Sequence, residues 1–256
     1  MIVTRCKSIR ILLLILFSVN QLFAQNIDFK SSNFKSKKDG LKQAVKNIKE
    51  GDEFLEKANE AIFARNDAID YFEKALFYYL QANEFNPSNI ELNLKIGNTY
   101  LYTNQKYLAY PFLEKAISMD ANEQNASLNI HFYYAMGLQL EGKYNDAIAQ
   151  FKIFKKRQSE KRFEPFSDFY KKYILECESA IVLSGKPQKE WIDNIALNSE
   201  NDDWSPCLST DGELLIFTSD RANEHLADEF GRYDNEIYFS TLEKRKWTEI
   251  SSITTL

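Results

Sequence analysis

Few side chains in this sequence are spaced for covalent chemistry. Histidine, the usual proton shuttle and metal ligand near neutral pH, occurs only as His131 and His225. The first falls in a helical stretch and the second in a loop between strand candidates, so neither a paired-histidine metal site nor a catalytic triad is expected. The chain has no G-x-S-x-G elbow and no phosphate-cradling glycine loop. Asp220, Asp228, Asp234, Asn235 and Glu236 gather acids around one long loop. Their spacing is not that of a calcium loop, and a solvated turn is the expectation. Cys177 and Cys207 would either pair in an oxidising compartment or remain two buried thiols. These residues predict a non-enzymatic protein with no catalytic residue, no metal and no cofactor.

The elements that would carry such residues begin after a leader. Arg5, Lys7 and Arg10 precede the apolar run Ile11 to Phe17, and Leu22, Phe23 and Ala24 offer a small residue at a cleavage point. This is the pattern of an export signal, residues 1–24. A spanning helix needs about 20 apolar residues, and Ser18, Asn20 and Gln21 break this run too early. Cys6 precedes the apolar run, so no lipid attachment is expected there. Losing the leader removes three cations and moves the formal charge from -5 to -8. That disfavours nucleic acid as a partner. With 14 Tyr and 19 Phe, the rest has enough aromatic surface to fold rather than remain disordered.

Between 35 and 185 the apolar spacing is helical and recurs. Gly97 and Ala109 are small where two antiparallel helices would touch, and Tyr100, Leu113 and Ala116 recur on the apolar faces. A shift of 34 residues places Ala82 over Ala116 and Pro87 over Ala121. Downstream, Ala135, Gly142, Ala147, Phe151 and Phe154 take similar roles. This period is the tetratricopeptide signature of stacked helical hairpins. The first helix is expected over Lys35 to Ala61, its partner from a cap at Asn66 or Asp67 to Asn86-Pro87. That first hairpin is stretched relative to the repeat. Ser88 with Glu91 reads as a capping box for a helix through Tyr102. Pro111 demands that the following helix start late or kink, since a proline inside a helix costs about 3 kcal/mol. Leu128 to Leu140 pairs with Asn145 to Lys156, Asn145 being the expected cap. An amphipathic helix, Ser167 to Leu183, carries Phe169, Tyr173, Ile174, Cys177, Ala180 and Ile181 on one side and closes the array.

In such arrays the first helix of each hairpin lines the concave side. Here it would present Leu94, Asn98, Tyr102, Phe132, Met136 and Gln139 to a peptide or partner helix; the competing expectation is that the apolar members pack on the closing helix. The basic run Lys155, Lys156, Arg157, Lys161 and Arg162 reads as a solvated helix end complementing the dipole.

Beyond Pro187 the composition turns to alternating β-branched and aromatic residues, and a second domain, 191–256, is expected. Trp204 to Leu208, Glu213 to Ser219, Glu236 to Thr241 and Lys246 to Ile250 make four short strands, with a tight turn at Thr210-Asp211-Gly212. Four strands are one propeller blade's worth. Leu214 and Ile216 would face one way and Leu215 and Phe217 the other, so both faces want cover. The run DWSPCLSTDGELLIFTSDR, Asp203 to Arg221, resembles the repeat of TolB-like propellers. Together with the helices before it, the chain resembles the Bacteroidota OmpA-family envelope proteins, which join tetratricopeptide repeats, a TolB-like propeller, a small β domain and a peptidoglycan-binding domain. The resemblance implies an α-helical tetratricopeptide-repeat solenoid followed by a β segment like one blade of that propeller. It implies an exported scaffold in the periplasm, associated with the outer membrane, serving envelope assembly, gliding or type IX secretion. With one blade and no peptidoglycan-binding module, the chain reads as the N-terminal portion of such a protein; peptidoglycan becomes a partner only with a further C-terminal domain. The expected partners are envelope proteins or peptides. The alternative is a carbohydrate- or peptide-binding receptor that uses the propeller face, with Tyr233 and Trp247 as its exposed aromatics; a propeller-gated hydrolase would need a further catalytic domain.

Overall fold

The computed structural model describes residues 25–120, 129–186, 194–223 and 227–253. The leader, Trp191 and His225 lie outside them. The chain divides into two compact units, Met1–Lys186 and Pro187–Leu256. The first is helical and the second holds a small antiparallel sheet.

The helical unit opens with an arm, residues 25–37, that leads into α1, Lys38–Phe63. Expectation placed this helix from Lys35. It starts later because Phe34 is drawn onto the Phe85 ring, 4.9 Å between centroids. The next helix, α2 (Ile69–Phe85), follows a short link in which Asp67 Oδ1 accepts from Ile69 N at 3.0 Å. In α3, Ile90–Tyr100, the cap is Asn89 and not Ser88: the Asn89 side chain accepts from Leu92 N. Ser88 instead gives its carbonyl to Ile27 N of the arm, 2.7 Å away. This helix stops at Tyr100, short of Tyr102, as Thr103 turns its hydroxyl back to the Tyr100 carbonyl. A 3-10 turn, Lys106–Leu108, precedes α4, Ala109–Met119. Pro111 thus lies in a first turn, where its missing N–H has no helical acceptor to lose.

The link between α5 (Ile130–Leu140) and α6 (Tyr144–Arg157) is tight. Gly142 has φ +71°, Gly142 N donates to Gln139 O, and Lys143 N donates to Leu138 O. That double bond is a Schellman closure, which needs a residue content with left-handed backbone. Because the chain re-enters helix at once, Asn145 lies inside α6 and does not cap it. A short turn, Glu160–Phe163, leads to α7, Ser167–Ser184. Its Cys177 is fully buried and Tyr173 and Ile174 pack on the core, whereas Phe169, expected on the inner side, is exposed.

Pairs α1/α2, α3/α4 and α5/α6 share one mode of contact. In the first pair Gly40 faces Phe85, Gly51 faces Tyr79, and Ala58 clusters with Phe72, so the two helices run antiparallel. A Cβ on Gly51 would lie 2.5 Å from Tyr79 Cε1. One on Gly97 would lie 2.5 Å from Leu113 Cγ and 3.2 Å from the Ala109 carbonyl oxygen. The second helices repeat the same burial: Ala75, Tyr79 and Ala82, then Ala109, Leu113 and Ala116 at an offset of 34, then Ala147, Phe151 and Phe154 at a further 38, all at 0% exposure. Ala135 takes the Gly97 place in the third pair. Consecutive pairs join into one core through Ile90, Ile96 and Ile130, and an aromatic core of Phe132, Phe151, Phe154, Phe166 and Tyr173 seats α7.

In the second unit β1 (Asp203–Leu208), β2 (Leu214–Ser219) and β3 (Glu236–Glu243) form an antiparallel meander, with β4 (Lys246–Trp247) and β5 (Ser251–Ser252) both on β3. Two residues lie between Trp204 and Cys207, while one lies between their partners Thr218 and Ile216. This bulge, with Ser205 at φ +52°, bends the edge strand away from further pairing. Lys244 and Arg245, both at positive φ, make the two-residue turn into β4. The expected strand Lys246 to Ile250 stops at Trp247, and pairing with β3 resumes only at Ser251, outside the expected range, after one extra residue shifts the register. Only one face of β2 is fully buried: Leu215, Phe217 and Ser219 point inward with Leu197 and Tyr238, while Leu214 and Ile216 are half-buried. Both remaining cysteines are free thiols; Cys177 is buried, and Cys207 on the edge strand is exposed rather than buried.

Gly97→Ala is expected to destabilise the helical unit by about 1–3 kcal/mol, since Leu113 branches where the new methyl would fall and the ~1 kcal/mol helix-propensity gain cannot offset the overlap. Gly185→Ala, whose Cβ meets nothing closer than 3.7 Å, should change stability by less than about 0.5 kcal/mol. Urea unfolding followed by far-UV circular dichroism compares the two.

Candidate functional site

Polar contacts tie α1 to α3 and α5 to α7. Asp52 of α1 accepts from Lys95 of α3 at 2.6 and 2.9 Å, and from the Tyr79 hydroxyl at 2.7 Å. Gln139 of α5 donates to Glu176 of α7 at 3.1 Å. Between these links lie three tyrosines. Tyr102 follows α3, Tyr133 is on α5, Tyr173 on α7, and a charge on Tyr102 would repel one on either of the others. Burial pushes all three phenols above their ordinary range. At neutral pH they are uncharged hydroxyls on apolar rings, able to pack and to hydrogen-bond. Burial and the Asp52 carboxylate raise Tyr79 likewise.

Asn98 lies in the last turn of α3, four residues before Tyr102. Its Oδ1 is buried and has no hydrogen-bond donor among the described residues. Leaving such an acceptor unpaired costs about 1–3 kcal/mol. A donor arriving with a ligand would recover that cost. Tyr102 is 46% exposed although its ring stacks on Phe72, 5.2 Å between centroids. It is therefore both held and presented.

The six residues expected to line this face divide. Tyr102 is exposed, and Asn98, Met136 and Gln139 are half-buried. Leu94 and Phe132 are core residues at 8% and 5% exposure. Phe132 turns inward because Phe151, Phe154, Phe166 and Tyr173 surround its ring. Tyr133 and Tyr173, not among those six, are part-buried residues electrostatically coupled to Tyr102. Helical spacing from Tyr102 alone does not reach them, since the stagger of neighbouring helices depends on loops of unequal length.

The other chemistry-bearing residues are engaged elsewhere. His131 is buried, with Nδ1 2.7 Å from Gln150 Oε1 and Nε2 2.6 Å from Arg157. The Gln150 Oε1 accepts and the Arg157 guanidinium donates, a pair of contacts that the Nδ1–H tautomer satisfies. Lys155 lies over the Phe163 and Tyr170 rings. Asp228 closes a turn by accepting from Phe230 N, Arg232 N and the Arg232 guanidinium. Among the described residues no group of three or more His, Cys, Asp or Glu side chains is placed to hold a metal ion.

In the second unit Arg221 organises one end of the sheet. It donates to Asp203 Oδ1 at 2.5 Å, Leu197 O at 3.1 Å and Ser219 Oγ at 3.0 Å, and lies over the Phe217 and Tyr238 rings. Burial tends to raise the Asp203 carboxyl, but hydrogen bonds from Ser199 N, Arg221 and two serine hydroxyls bring it below the usual range. Beside it a cleft of about 150 Å³ is lined by Ile195, Leu197, Trp204, Pro206, Leu215 and Phe217. Tyr233 and Trp247, expected as exposed aromatics, are half-buried, and Trp247 packs on Leu215 and Phe217. No protein-family model matches the chain, and no curated protein gave a significant match.

A carboxyl whose folded pKa is depressed stabilises the fold above its unfolded value and loses that contribution as pH falls through the folded value. The sheet unit should therefore lose stability below about pH 4, and Asp203→Asn should flatten that fall while lowering stability at neutral pH. Tryptophan fluorescence during urea unfolding across pH reads both effects.

Proposed function

We propose that the chain is an exported, non-enzymatic adaptor of the cell envelope. Its helix pairs act as a tetratricopeptide-type array that holds an extended polypeptide. The single observation that carries this is the Asn98 amide oxygen on α3, buried without a donor among the described residues. An extended peptide brings backbone N–H donors at regular intervals, with apolar side chains between them that pack on phenol rings. Equivalent burial at offsets of 34 and 38 residues supports the repeat reading. A periplasmic site of action, associated with the outer membrane, follows from the leader-like residues 1–24 and the resemblance of Asp203 to Arg221 to TolB-like propellers. Among the described residues no helix is long and apolar enough to cross a membrane. In this reading the sheet unit docks a second protein.

The test uses the full chain as bait in envelope extracts, then measures the affinity of each retained polypeptide. Tyr102→Ala combined with Tyr133→Ala should weaken binding at least about tenfold, equivalent to ~1.4 kcal/mol, without altering the circular dichroism spectrum. Undiminished binding by the folded double variant would contradict the proposal. Glycan binding with no polypeptide retained would favour the receptor alternative.

A further inference from the structure

The arm that precedes α1 is tied down from its second described residue onward. Asn26 Oδ1 accepts from Ile90 N, the first residue of α3, at 2.9 Å. Ile27 N donates to Ser88 O at 2.7 Å, and the Ile27 carbonyl accepts from the Asn86 and Asn89 side chains at 2.8 and 3.1 Å. Phe29 and Phe34 then pack on Phe85. Gln25 is exposed and enters none of these bonds.

We infer that Gln25 becomes an N-terminal pyroglutamate once the leader is removed after Ala24, an inference that rests on reading residues 1–24 as a cleaved leader. The α-amino nitrogen attacks the side-chain Cδ, the bond from Cδ to the amide nitrogen breaks, and ammonia leaves with the proton given up by the amine. No oxidant or reductant is required. Ring closure disturbs no bond of the arm, because the arm is fixed only from Asn26. It also removes an α-ammonium that would otherwise stand next to Asn26, whose side chain accepts from the first N–H of α3, at a helix end where cations are disfavoured. The one acid on the arm, Asp28, is already held by Lys30 at 2.6 Å and by Asn26 at 3.0 Å.

The full chain, expressed with residues 1–24 in cells that export it, is prepared cold and without storage, and its N-terminal peptide is weighed. The expected peptide begins at residue 25, is lighter than its sequence by one ammonia and resists Edman degradation. Gln25→Ala, which has no amide to close, should give an open, sequenceable amine at the same cleavage point. An open amine on Gln25 in the unaltered chain overturns the inference and leaves the leader reading intact. A peptide that starts at any other residue overturns the leader reading and this inference with it. A blocked amine in Gln25→Ala also contradicts it, since the block then has another chemistry.

Discussion

The helical unit depends on how closely paired helices can approach. At Gly51, Gly97 and Ala135 the first helix of each pair offers little or no side chain, and Tyr79, Leu113 and Phe151 of the second helix fill that space. Interiors are packed to crystal-like density, so one methyl at such a point must displace something. The repeated approach fixes the pair spacing, and pair spacing sets the first helices beside one another. Only then can Asp52 meet Lys95, Tyr102 stand near Tyr133, and Gln139 reach Glu176.

That face combines contacts that fix it with contacts left incomplete. The Asp52–Lys95 pair is part-exposed and of modest worth by itself. Its role is to hold Tyr79 and to close one end of the face with satisfied polar groups. Asn98 is the exception, a buried acceptor with no donor among the described residues in an otherwise well-paired region. Folded sequences tend to carry such local conflicts where function requires them. In the sheet unit Arg221 donates to Asp203, Leu197 and Ser219, and these bonds fix the ends of β1 and β2.

Element existence and order were legible from the sequence because apolar spacing is a local property. The pairing of Gly97 with Ala109 and Leu113, the offset of 34 between the second helices, the late start at Pro111 and the tight turn at Thr210 to Gly212 all follow from neighbours within a few turns. Boundaries failed where a distant segment intervened. Ser88 lost the cap to Asn89 because the arm, some sixty residues earlier, takes its carbonyl. The Lys244-Arg245 turn lacks the asparagine and glycine that usually mark positive φ, so the run of β3 past Thr241 to Glu243 left no local trace. Less of the candidate site was legible: Phe132 and Tyr133 are adjacent residues, and which of them turns inward is decided by aromatic packing of α7 on that helix.

The central claim is that the tyrosine-lined face of the first helices is where a polypeptide is held. Its most direct test is site-specific photo-crosslinking in living cells, with a benzophenone side chain at position 102 and, for comparison, at position 175, where Leu175 is exposed on α7. The account predicts a discrete protein adduct from position 102 and none of the same mass from position 175. An adduct from position 175 with none from position 102 would contradict it.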